Sequence, residues 1–463
     1  MTPSNLLVLF LVYYLVCSGA FAVNNNEVEL DASEKSEAED VGKPLILSHY
    51  LDNGQLKEGR EKALVEHREI PGIESYSGYF TVNKEYNANL FFWYCPAENN
   101  RESAPIVLWM TGGPGSTSML GLFAENGPFT VTANQTVEMR KHSWTRNHHM
   151  LYLDSPVDAG YSFTESDKGF ATTSDDVARD ALAFLTQFFQ LFPELRSNEL
   201  YVVGESLAGK FAPPIAHAIK VHNENAEVRI NVQGLIIAGG VCDLVNQVKH
   251  VQYIYELGLI GEDDRRELQA LEDKLVGLLK QKKVFQSIAL MNKVNKMMDN
   301  ITGYSYYFHS MRPTEPDYIN PFVHWVVRPD VRKAIHVGNV TFERTSVQVK
   351  KHIGRDMLHS VANYVEEALA DGKKVLVYVG QLDMMVTNAA MENYISKLKW
   401  PGAESYKTTK RKIYYVGDEL AGYVRSGVNL TAVLMRNSGH MLPNDQPVLA
   451  FDMITRFTHN LGY

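Results

Sequence analysis

Residues 200–211 read LYVVGESLAGKF, and their interpretation decides the fold. Leu200–Val203 is a short apolar run of the kind that forms a parallel strand buried on both faces. Small residues follow from Gly204 to Gly209 around Ser206, and then Phe211, Ile215, Ala218 and Ile219 recur at helical spacing. Strand, tight turn and helix in that order form a nucleophile elbow, which holds a serine hydroxyl at the carboxyl edge of a sheet beside the amides of a helix start. Gly204 through Lys210 also satisfies G-x-x-x-x-G-K, but a phosphate loop needs Ser or Thr next to hold magnesium, and Phe211 stands there. Ala208 replaces the second Gly of G-x-S-x-G. The elbow therefore requires a base, a carboxylate and oxyanion donors from elsewhere in the chain.

Working outward, Pro105–Met110 (PIVLWM) is a buried strand that runs into Thr111-Gly112-Gly113-Pro114-Gly115. Bare amides after a strand are what an oxyanion hole requires, although GGPG alone reads first as an ordinary turn. Tyr76–Lys84 and Ala88–Tyr94 pattern as paired antiparallel strands, and Met150–Asp154 (MLYLD) as a further strand. Thr173–Phe192 is an amphipathic helix with Asp175 and Asp176 in its first turn, stopped by Pro193. After Gly234–Ala238 (GLIIA) the pattern turns helical and charged from Leu244 to Asp299, an insertion or cap over the core, followed by an aromatic loop at Tyr304–Pro321. Val331–Val337 and Asp356–Ala370 pattern as helices, as does Phe451–Leu461 at the end. Between them Lys374–Val379 (KVLVYV) ends in Gly380-Gln381-Leu382-Asp383, and Leu430–Arg436 (LTAVLMR) ends in Asn437-Ser438-Gly439-His440. Strands alternating with helices predict an α/β fold with a mostly parallel sheet.

Asp383 and His440 each sit just past a buried strand, as Ser206 does, and open α/β sheets gather their reactive groups at that edge. The order Ser, Asp, His is the one α/β hydrolases use. In this reading His440 takes the Ser206 proton and Asp383 orients the imidazole and stabilises its charged form. A metal centre is not indicated: His148 and His149 are adjacent, which points their side chains apart on a strand, and no H-E-x-x-H occurs.

The 463 residues, 45% hydrophobic and 11% aromatic, suit a large core. A formal net charge of −9 without a basic tract argues against a nucleic-acid partner. Residues 1–22 pattern as a secretory signal, with an apolar run from Leu6 to Val16 and Ala20-Phe21-Ala22 as the cleavage pattern. Residues 23–43 form an acidic, polar leader, and no later stretch is long enough for a membrane span. Sequons at Asn134, Asn300, Asn339 and Asn429 fit a secreted or lysosomal, endosomal destination. With Cys17 removed in the signal, Cys95 and Cys242 are too few for a disulfide framework.

Five blocks, WMTGGPGSTSMLGLFAENGPF, SWTRNHHMLYLDSPVDAGYSF, VVGESLAGKFAP, GQLD and SGHMLPNDQP, resemble the signature blocks of serine carboxypeptidases. The likeness is nearest to the vitellogenic carboxypeptidase-like branch and runs from about Pro44 to the C-terminus. It implies an α/β-hydrolase domain over 44–463 with a helical insertion at about 244–320, and release of C-terminal residues from peptides at acidic pH without a cofactor. By motif position it implies Ser206 as nucleophile, His440 as base, Asp383 as its orienter, and the amides of Gly113 and Leu207 as the oxyanion hole. Thr111, Gly112, Glu125 and Glu205 would grip the substrate's carboxylate, and Met441 would border the leaving-residue pocket. Two glutamates placed together share a proton above an isolated glutamate's pKa, so the pair would donate to that carboxylate when protonated. The sequence departs from the family in Thr111 for Asn or Gln, Leu207 for Tyr, Ser116 for Cys or Gly, Asn437-Ser438 for a Gly-rich pair, and in lacking most family disulfide cysteines. An acyltransferase on the same scaffold, or a non-catalytic binding or storage protein, are the alternative uses.

Overall fold

The computed structural model describes residues 40–70 and 72–463. The signal expected at 1–22, with Cys17, and the leader as far as residue 39 lie outside the described residues. The strands are β1 Tyr76–Asn83, β2 Ala88–Cys95, β3 Ile106–Met110, β4 Phe129–Val131, β5 Val137–Met139, β6 His149–Leu153, β7 Leu200–Glu205, β8 Val232–Ala238, β9 Lys374–Gly380, β10 Lys412–Val416, β11 Glu419–Gly427 and β12 Leu430–Met435. Ten of them form one sheet in the order β1-β2-β6-β3-β7-β8-β9-β12-β11-β10, and β4 and β5 pair separately. The six central strands, β6 to β12 in that order, run parallel. Antiparallel pairs finish both edges. This is the α/β-hydrolase architecture, a largely parallel sheet flanked by helices.

Parallel neighbours need crossovers, which the helices Ser174–Leu191 and Ala212–Asn225 supply on either side of β7. Every residue of β3 and β7 is buried, because helices cover both faces. Alternation then divides the strand side chains between two cores. Leu108 and Met110 join Phe184, Phe188 and Ile215 on one face, while Val107 and Trp109 join Trp144, Leu449 and Met453 on the other. The helix Ser174–Leu191 begins with a capping box, in which Thr173 accepts from the Asp176 amide and Asp176 accepts from the Thr173 amide.

Between β8 and β9 the chain leaves the sheet. Helices Leu244–Gln247, Val251–Glu256, Glu262–Lys280 and Val284–Thr302 pack around two small apolar clusters of their own, one centred on Ile254 and Leu268 and the other on Leu275 and Leu279. Three local expectations are corrected: the helix expected at Val331–Val337 is Pro329–Ala334, and His336 beyond it has φ +63°. Asp356–Ala370 is a short turn at Asp356–Leu358 and a separate helix Ala362–Ala370. Tertiary bonds take the groups a continuous helix would use: the His359 carbonyl accepts from Lys210 Nζ, and the Val361 amide donates to the Cys242 carbonyl at 2.9 Å. The final helix is Pro447–Thr458, not Phe451–Leu461, and starts at a proline, whose missing amide proton costs nothing in a first turn.

Candidate active site

β7 ends at Glu205, Ser206–Lys210 forms a tight helical turn, and the helix Ala212–Asn225 follows. Ser206 has φ +54°, a left-handed conformation that a non-glycine residue adopts only when its surroundings enforce it. The turn is too close-packed for a side chain at Gly204, whose Cβ would lie 2.1 Å from the Ala208 carbonyl oxygen. The loop after β3 closes on this elbow. A Cβ on Gly112 would stand 2.4 Å from the Leu207 amide nitrogen, so the Gly112-Gly113 backbone and the start of the elbow helix face each other directly.

Asp383 lies beyond β9, and His440 beyond β12. Asp383 is wholly buried; one carboxylate oxygen accepts from the amides of Met385 (2.7 Å) and Val386 (3.0 Å), and the other from His440 Nδ1 (2.7 Å). That set of bonds fixes the imidazole as the Nδ1–H tautomer and leaves Nε2 with its lone pair. Nε2 is buried without a hydrogen-bond partner among the described residues, so no bond to Ser206 Oγ is made in this state. Burial alone would lower the imidazole's pKa, but the Asp383 carboxylate, with Glu205 and Asp445 behind it, raises it above the ordinary value. Two contacts absent from the sequence reading hold His440 in place: its amide donates to the Phe308 carbonyl (2.7 Å), and the Gly439 amide donates to Asp445 (2.8 Å). The Phe308 ring lies 4.6 Å from the imidazole. Neither Phe308 nor Asp445 carried a chemical signal in the sequence.

Glu125 sits on the buried turn Gly121–Asn126 and Glu205 at the end of β7, and the two carboxyl groups meet. Neither Glu125 oxygen has a partner in hydrogen-bonding geometry among the described residues. Two carboxyl groups bond only with a proton between them, and burial followed by the Glu205 charge holds Glu125 well above the usual carboxyl range. Burial also raises Glu205, against the pull of His440 and of the neighbouring Glu125 and Thr111 side chains. Thr111 is therefore at the pair, its hydroxyl also accepting from Trp109 Nε1 at 3.1 Å. Arg140, whose guanidinium donates to the Phe123 and Gly127 carbonyls, places a positive charge near Glu125. Met441, buried, precedes the short helix Leu442–Asp445, and Asn444 of that helix donates to the Ala124 carbonyl (2.7 Å), tying it to the Glu125 turn.

The family profile described as "Serine carboxypeptidase" matches residues 66–460. This chain belongs to the serine carboxypeptidase family. It is 47% identical to the venom serine carboxypeptidase of Apis mellifera over 434 residues, covering 92% of this chain and 93% of the bee protein. It is 39% identical to the vitellogenic carboxypeptidase of Aedes aegypti over 471 residues, covering 99% of both. Its fold is similar to that of Kex1Δp, a prohormone-processing carboxypeptidase from Saccharomyces cerevisiae, with a TM-score of 0.77 over 87% of this chain and 96% of the yeast chain at 20% identity.

Within this serine carboxypeptidase the remaining expected residues fall as follows. Asn134, Asn300, Asn339 and Asn429 are all exposed. Cys95 and Cys242 are free, buried thiols. His148 and His149 are buried, and their ring nitrogens bond within the protein: His148 to the Trp144 carbonyl and Thr458, His149 to Tyr94, the Ala97 amide and the Arg101 carbonyl. No described helix is long and apolar enough to cross a membrane.

Proposed function

We propose that this serine carboxypeptidase releases the C-terminal residue of peptides through an acyl-enzyme formed on Ser206. The observation that carries the reading is the buried Asp383–His440 pair with a vacant Nε2, at the same sheet edge as the strained Ser206 turn and the Gly112–Leu207 contact. Ser206 Oγ attacks the last peptide carbonyl as His440 Nε2 takes its proton. The oxyanion is met by the Gly113 and Leu207 amides, and its collapse expels the C-terminal residue's amine, which receives the proton from His440. Water then attacks the acyl-Ser206 ester, losing its proton to His440, which returns it to Ser206 Oγ as the shortened peptide leaves as the acid.

The grip on the terminus comes from Thr111, Gly112 and the Glu125–Glu205 pair. Holding a shared proton, the pair donates to the incoming carboxylate; ionised, it repels it. Met441 borders the pocket of the departing residue, and the helices between β8 and β9 form an insertion on a catalytic domain that begins near residue 44. The exposed sequons and the leading apolar segment support a glycosylated protein of the secretory route, secreted or delivered to lysosomes or endosomes. The test is release of the terminal residue from blocked dipeptides at weakly acid pH. Wild type should release it, and Ser206→Ala should lose roughly 10⁴- to 10⁶-fold of the rate, as removal of a triad nucleophile does. Equal release by both would refute the assignment.

A further inference from the structure

Asp154 is a buried acid that the reaction above leaves without a part. It follows β6 and is 1% exposed, and the hydrogen bonds to its carboxylate all come from uncharged donors. Burial pushes its pKa up to about 6. One oxygen accepts from the Thr117 hydroxyl and the Ser118 amide, both at 2.7 Å, and the other from the Tyr161 amide at 2.9 Å. Gly160, at φ +59°, makes the room: a Cβ there would stand 1.8 Å from the second oxygen. Only a carboxylate offers acceptors at both ends, which explains why so costly a group is kept in the core.

Ser118 carries the restraint onward. Its hydroxyl donates to the Leu153 carbonyl (2.6 Å) and accepts from the Thr111 amide (3.1 Å). Thr111 opens the loop whose Gly112 lies against the Leu207 amide. We propose that Asp154 is a positioning residue for catalysis: acting through Ser118, it fixes the Thr111–Gly113 backbone against the elbow and so sets the spacing of the two oxyanion donors. The proposal rests on the functional reading above, which Ser206→Ala tests separately.

Asp154→Asn is close to isosteric but has one acceptor oxygen, so either Tyr161 or the Thr117–Ser118 end must face an amide donor. Its kcat on a blocked dipeptide should fall roughly 10- to 100-fold, the effect of a displacement of about 1 Å at a reacting centre, and KM should rise as well because Thr111 and Gly112 belong to the proposed carboxylate grip. The rate at which a small organophosphonate modifies Ser206 should fall in parallel, since that tetrahedral adduct uses the oxyanion hole and no substrate carboxylate. Ser118→Ala should reproduce both losses, and the double variant should be no worse than the poorer single one. Wild-type kcat and phosphonylation in Asp154→Asn, or fully additive losses in the double variant, would overturn the proposal. Should Asp154→Asn fail to fold, Ser118→Ala decides alone, because it keeps the Ser118 amide, Thr117 and Tyr161 bonds to Asp154. Wild-type kcat and phosphonylation in that variant overturn the proposal equally.

Discussion

At the scale of single residues, the proposed carboxylate grip ties substrate recognition to pH through the proton that Glu125 and Glu205 would share. Both carboxyls are held above their ordinary pKa, first by burial and, for Glu125, next by the charge of its neighbour. His440 pulls the other way: it must be neutral to accept the Ser206 proton, and Asp383 raises its pKa. In the proposed mechanism the acid limb of the rate belongs to His440 and the alkaline limb to the glutamates, and as interacting sites they titrate as a set. Loss of the shared proton weakens binding of the substrate carboxylate, so the alkaline limb should appear in KM. In the double variant Glu125→Gln, Glu205→Gln, nothing at that position ionises, and KM for a free-acid peptide should no longer climb with pH. A KM that climbs as in wild type would show that another group controls binding. The triad candidates were visible in the sequence because each follows an apolar run. The carboxyl contact was implied only by the family resemblance, since it depends on how the turn Gly121–Asn126 folds back on a strand eighty positions further along.

At the scale of elements, the helix Ser174–Leu191 is held on the β1–β2 side of the sheet by its buried aromatic face. Phe188 is fully buried and packs against the rings of Phe92, Tyr94, Phe184, Phe189 and Phe192, with centroids 4.9 to 6.1 Å apart. Phe188→Ala should cost about 3–5 kcal/mol, the range for a deleted core aromatic. Thr173→Ala, which removes only the cap, should cost about 1 kcal/mol. Chemical denaturation of the two variants checks the ordering, and equal losses would show that the helix is held by its cap and not by its buried face. This helix was legible in the sequence with its cap, because amphipathic period and capping residues agree. The hairpin β10–β11 was not. Its apolar run at 413–416 is short and lies at the sheet edge, where Ile413 and Tyr415 are more than half exposed, and the pairing of the hairpin with β12 is a tertiary choice. The break at His359–Val361 was hidden for the same reason, because Lys210 and Cys242 make it from a distance.

For the whole molecule, the proposed function depends on one edge of one sheet. Thr111–Gly113 after β3, Ser206 after β7, Asp383 after β9 and His440 after β12 come from segments more than three hundred residues apart, yet their strands stand within five positions of one another in the sheet. Parallel order puts all four carboxyl ends on the same side, which is why a chain-order reading of buried strands was enough to gather these residues in advance. Loops then supply what the strands cannot: Phe308 and Asp445 against His440, and the Glu125 turn against Glu205. The combined claim is that a serine nucleophile and a proton-dependent carboxylate grip share this edge. It is tested most directly by kcat/KM for a blocked dipeptide against that for its C-terminal amide, at weakly acid and at alkaline pH. The account predicts that the free acid is strongly preferred at acid pH and that the preference shrinks as pH rises. A preference that is absent, or that grows with pH, would contradict it.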